Sequence, residues 1–158
     1  MDYEGGTDKK LKIKNDNMED QAFRQFLIDV YKAADHVMKP GAPFYIWHAD
    51  SEGANFRGAA KDMGWQIREK KPSINDVHPT MKPVKLFGRL VKNSSKRNDI
   101  VLDLFGGSGT TIVACEQLNR RAYLMELDPA YVDVIIDRYQ KLTNVEVMRS
   151  DGKLWNEL

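Results

Sequence analysis

Little in this sequence points to a disulfide, a metal or a membrane. One cysteine, Cys115, excludes a disulfide framework within the 158 residues. It falls in an apolar helical stretch and reads as a small core residue. The three histidines, His36, His48 and His78, show no metal-ligand spacing with it, so no metal is expected. No apolar run approaches membrane length and no signal peptide is recognisable, which leads to the expectation of a cytoplasmic protein with no membrane partner. Charge of one sign is also lacking. Lys and Arg number 24 against 23 Asp and Glu, a net charge of +1, so no global field draws the chain onto nucleic acid. Any such binding would come from local patches such as Lys82 to Arg97 and Lys9 to Lys14. Repeats and low-complexity tracts are absent. The length suits one compact domain, 1–158, and not two.

What is present is concentrated in Val101-Leu102-Asp103-Leu104-Phe105-Gly106-Gly107-Ser108-Gly109-Thr110-Thr111. An aliphatic segment ends in an acid, a glycine-rich turn follows, and a helix opens. A second acid, Glu126, ends another apolar segment about twenty residues later, the layout of a nucleotide-type cofactor site in a βαβ unit. Glycines allow close backbone approach because no Cβ intrudes. The second acid can accept hydrogen bonds from two ribose hydroxyls. The dinucleotide fingerprint needs a third Gly or Ala, but Ile112 occupies that position. The phosphate-cradling P-loop needs Gly-Lys-Ser/Thr, but Thr110 and Thr111 follow Gly109. A small zwitterionic or nucleoside ligand fits better than either, and a dehydrogenase-like domain is disfavoured.

The segment Asp103 to Thr111 resembles the S-adenosylmethionine loop of the DNA amino-methyltransferases, which carry Asp-x-Phe-x-Gly-Ser-Gly-Thr-Thr and methylate exocyclic nitrogens of adenine or cytosine. The resemblance implies cofactor contacts at Asp103, Phe105, Gly106, Ser108, Gly109 and Thr110. Glu126-Leu127-Asp128-Pro129-Ala130-Tyr131 is similar to the family's Glu-x-Asp/Asn-Pro-x-Tyr element, in which the acid holds the cofactor ribose. The resemblance also implies a cofactor contact at Asp128, which reads equally as the N-cap of a helix with Pro129 at its first position. His78-Pro79-Thr80-Met81-Lys82-Pro83 resembles the His-Pro-Thr-x-Lys-Pro element that precedes the cofactor loop in the β-type motif order. It implies contacts from His78, Thr80 and Lys82 to the methionine end of the cofactor.

Apolar residues at helical spacing predict helices over 20–38, 53–63, 109–118 and 129–142, with a basic-faced helix beginning near Val84. Its Lys85, Arg89, Lys92 and Lys96 read as a solvated face, or more sharply as a contact to a DNA backbone. Strands are expected at 100–105 and 121–126, at Phe44–Trp47 with both faces buried, and also at 65–68 and 144–148. The implied fold is α/β: a Rossmann-like methyltransferase three-layer sandwich with a mostly parallel sheet, incomplete. Residues 1–68 form one half of the domain and 78–158 the cofactor-binding half.

Two family features have no counterpart. The catalytic Asp/Asn/Ser-Pro-Pro-Tyr/Phe motif does not occur, so no catalytic residue is assigned. Between Glu69 and His78 only a short polar link stands where a target-recognition region is usual. Without the catalytic strand, Phe44–Trp47 must pair directly with Val101–Phe105 or the sheet is left with a gap. The implied function is methyl transfer from S-adenosylmethionine to an amino group of a base in double-stranded DNA by the intact enzyme. Adenine N6 is preferred over cytosine N4 because that group of enzymes is the larger. The alternative is a module that binds S-adenosylmethionine without catalysis.

Overall fold

The computed structural model describes residues 18–68 and 84–156. The chain divides into two compact units, Met1–Ile74 and Asn75–Leu158.

The first unit is built on two helices, α1 (Asp20–Val37) and α2 (Gly53–Asp62), with a single 3-10 turn at Asp50–Glu52 leading into α2. Leu27, Tyr31 and Ala34 fall at positions i, i+4 and i+7 of α1 and are buried. Ala59 and Ala60 of α2 complete the core with Leu27 and Tyr31, their small side chains allowing close helix approach. Half-buried Phe23, Phe44, Ile46, Phe56 and Trp65 pack around them. At the end of α2, Gly64 takes φ +72°. The Gly64 N–H donates to the Lys61 carbonyl and the Trp65 N–H to the Ala60 carbonyl, a Schellman cap. The chain leaves that cap with the Trp65 ring stacked on Tyr31 at a centroid distance of 5.0 Å.

Two expected strands are not found here. Phe44–Trp47 and Trp65–Arg68 carry no ladder among the described residues. Phe44 and Ile46 do alternate toward the core, but Tyr45 is 48% exposed rather than buried. The period-2 pattern is satisfied by packing on helices, and among the described residues no neighbouring strand supplies the hydrogen bonds that define a sheet.

The second unit contains α3 (Val84–Ser94), β1 (Ile100–Asp103), α4 (Thr110–Leu118), β2 (Arg121–Leu124) and α5 (Pro129–Thr143). Strands β1 and β2 are parallel, in register from Ile100 opposite Arg121 to Asp103 opposite Leu124. The two strands with α4 between them form a βαβ unit, the kernel of a Rossmann-like fold, present here in part. Among the described residues the sheet has these two strands. Val101, Asp103, Ala122 and Leu124 face inward and are half-buried, while the alternate positions Ile100, Leu102, Arg121 and Tyr123 are exposed. The core holds Val91, Val113, Ala114, Cys115 and Ile135. Helix α4 ends at Asn119 in the left-handed conformation, φ +58°, which turns the chain straight into β2. Arg120 then fastens the ends of α3 and α4, donating to the Ser95 and Leu118 carbonyls. The expected strand at 144–148 reduces to one antiparallel bridge, Met148 to Leu154, closing a turn that contains Gly152. On either side of that bridge the Trp155 N–H donates to the Val147 carbonyl and the Arg149 N–H to the Lys153 carbonyl.

Cys115 is fully buried, as expected for a core cysteine. Desolvation pushes its thiol up to about 11, with the Asp103 carboxylate adding to the shift and the Arg120 guanidinium opposing it. A raised folded-state value favours the neutral thiol. Its contribution to stability is therefore complete below the ordinary thiol value of about 8.5 and is lost as pH rises through about 11. Denaturant titrations from pH 8 to 11 should show a smaller loss of stability in Cys115→Ala than in the parent chain. An identical slope in both would refute this account.

Candidate functional site

The carboxyl end of β1 is the edge at which open α/β sheets bind ligands. There Asp103 organises the loop that follows. Its Oδ1 accepts from the Phe105 N–H at 3.1 Å, and its Oδ2 accepts from the Thr111 hydroxyl at 2.5 Å. One carboxylate thus joins the strand end, the loop and the first turn of α4. Thr111 is 4% exposed, so this bond is shielded from water.

Gly106 is closely packed. A Cβ there would meet Ile135 Cδ1 at 3.1 Å, Leu124 Cδ2 at 3.3 Å and the Met125 carbonyl oxygen at 3.3 Å. The Gly106 N–H donates to that same carbonyl at 2.8 Å, and its own carbonyl accepts from Gly109 N–H at 2.9 Å. Gly109 has φ +78° and its missing Cβ would meet Ile135 at 3.1 Å. Gly107 differs. Its φ is +52°, but a Cβ would approach nothing closer than the Phe105 carbonyl at 3.9 Å, leaving open space above it.

Glu126 crosses from the other strand end. Its Oε2 accepts from the Gly107 N–H at 2.7 Å and its Oε1 from the Asp128 N–H at 3.0 Å. An ionised carboxylate has about four acceptor positions, so each oxygen keeps one free for a ligand hydroxyl. Asp128 caps α5, its Oδ1 accepting from the Ala130 N–H at 3.0 Å with Pro129 at the first helical position. Its side chain is thereby engaged in the fold. Helix α4 begins at Thr110 with Gly109 as its N-cap, a residue offering no side-chain acceptor to the first-turn amides.

Of the residues singled out in the sequence, Asp103, Gly106, Ser108, Gly109, Thr110, Glu126 and Asp128 converge on this loop. Phe105 is 63% exposed beside it. His78, Thr80 and Lys82 lie outside the described residues. Three further residues hold the loop and were not singled out: Thr111, Ile135 and Arg138. Arg138 Nη1 donates to the Ser108 carbonyl and, at 3.2 Å, to the Ser108 hydroxyl. In sequence it is one cation in the polar stripe of an amphipathic helix, and no local signal marks it.

Comparison with known proteins decides the family. Residues 46–137 match the N6/N4 family described as DNA methylase. The chain belongs to that family. The chain is 35% identical over 91 residues to the type II methyltransferase M.HpaI of Haemophilus parainfluenzae, covering 53% of this chain and 27% of that protein. With the type II methyltransferase M.BglII of Bacillus subtilis it shares 43% identity over 72 residues, 44% of this chain and 20% of that one. The crystal structure of M1.HpyAVI has the same fold, with a TM-score of 0.58 at 18% identity, over 72% of this chain and 81% of that one. The chain spans between 20% and 32% of the length of the curated relatives it matches.

The packing at Gly106 gives a direct check. Gly106→Ala should destabilise the protein by about 1–3 kcal/mol, because one of the atoms in its way is backbone and cannot rotate aside. Urea denaturation measures this, and an unchanged midpoint would show that the loop yields freely.

Proposed function

We propose that this methylase binds S-adenosylmethionine at the loop Asp103–Thr110 and at Glu126. In the intact protein the methyl group then passes to an exocyclic amino group of a base in double-stranded DNA, adenine N6 ahead of cytosine N4. Residues 1–158 act as one methyltransferase domain. The observation that carries this reading is the Glu126 carboxylate, held by two backbone amides with acceptor capacity to spare, beside the open space over Gly107.

The donor set fits the cofactor. A nucleoside presents two vicinal hydroxyls, and an acid with free lone pairs is suited to accept from both. The two amide bonds keep Glu126 from rotating away, so little ordering remains to be done when a ligand arrives. Gly107 leaves room for a ligand to lie against the backbone. By resemblance, His78, Thr80 and Lys82 take the methionine end, where a cation beside a carboxylate is favourable. S-adenosylmethionine supplies an activated methyl group on a sulfonium, and the base amino nitrogen is the nucleophile. The protein's part is to bind and align the two reactants and to stabilise developing charge.

Calorimetric titration of the folded chain with S-adenosylmethionine should show micromolar binding, weakened at least about tenfold in Glu126→Ala. Radiolabelled methyl transfer to unmodified DNA, with the product nucleosides separated, then tests the reaction and the base. Label in N6-methyladenine supports the full proposal, and label in N4-methylcytosine corrects the base. Binding without label would identify a cofactor-binding module. No binding by the folded chain would overturn the reading.

A further inference from the structure

We propose that Arg138 is a positioning residue for the glycine loop, fixing the Ser108 peptide so that the neighbouring Gly107 amide meets Glu126. Its effect on a ligand rests on the cofactor reading above, while its effect on the loop does not.

Ser108 lies between two glycines with positive φ, Gly107 at +52° and Gly109 at +78°. Glycine enters either half of φ space at similar cost, so such a stretch has many backbone arrangements of comparable energy. Something outside the loop must select one. Two charged side chains do so on consecutive residues and with opposite polarity. The Glu126 carboxylate accepts from the N–H of Gly107, and the Arg138 guanidinium donates to the carbonyl of Ser108. The second contact is reinforced by the Ser108 hydroxyl.

Arg138 is aimed at the loop by its position on α5. It follows Ile135 by three residues, and residues at that spacing share a helix face. Ile135 is the side chain against which Gly106 and Gly109 pack. One face of α5 therefore presents an apolar contact to the two outer positions of the turn and a cation to the residue between. Among the described residues the guanidinium has Ser108 as its partner and no carboxylate within ion-pairing distance, so the loop is not a secondary contact of a surface salt bridge.

Two variants test this. Arg138→Met keeps the apolar stem without a donor, and Arg138→Lys keeps a charge and a single donor. Hydrogen exchange reads the amides of Gly107 and Gly109, and calorimetry reads S-adenosylmethionine affinity. Arg138→Met should speed exchange at those amides by about tenfold, as for loss of one charge-assisted hydrogen bond. Amides of α1 should be unchanged, Arg138→Lys should recover part of the protection, and the affinity should fall by about tenfold in Arg138→Met. Unchanged exchange at Gly107 and Gly109 would overturn the proposal, as would faster exchange spread evenly over the chain. If Arg138→Met does not fold, loop-specific exchange in Arg138→Lys decides. If the parent chain binds no S-adenosylmethionine, the cofactor reading fails, and the exchange data still judge Arg138.

Discussion

The carboxylate of Glu126 accepts one backbone N–H from the turn after β1 and another from the turn after β2. The two bonds hold the parallel strand ends in register beyond the last ladder pair. They also set the distance between the glycine loop and the start of α5. Hydrogen bonds to an ionised group are stronger than those between neutral groups, and a half-buried carboxylate would be costly without them. The other contacts elaborate this tie. Asp103 fixes the loop to the first turn of α4, and Ile135 and Arg138 press on it from α5.

Glu126 thus has a structural role beside the ligand contact proposed for it. A residue proposed to accept from a ribose is already part of the frame that shapes the loop. Asp103 likewise has both oxygens engaged within the protein. An acid can thus recur in a cofactor motif because it builds the turn, whether or not it touches the ligand. Asp128 is engaged as an N-cap in the same way.

Much of the second unit was legible in the sequence because its signals are local. The helices at 110–118 and 129–143 and the strands at 100–103 and 121–124 lie within a few residues of their expected bounds. Asp128 and Pro129 announce a helix start through capping chemistry that needs no tertiary context. The failures share one cause. Phe44–Trp47, 65–68 and 144–148 have aromatic or β-branched residues, but strand formation depends on a partner that the segment itself does not encode. Phe44 instead packs edge-on against Tyr31, and the Schellman cap after α2 directs Trp65 into the same cluster. In the site, the glycines and acids could be read from their spacing, whereas Arg138 could not. Its contact spans 30 residues and goes to a backbone carbonyl, which no residue pattern reveals.

The bonds that shape the loop join residues 8, 19 and 30 positions apart. Closing loops of that size costs little chain entropy, and the cost grows only slowly with length. The glycine turn, its two acids and its arginine all come from one short stretch, Asp103 to Arg138. Contacts of this kind form early when a chain collapses, because little of the chain has to be searched. The side-chain ties of the turn thus depend on no residue outside that stretch.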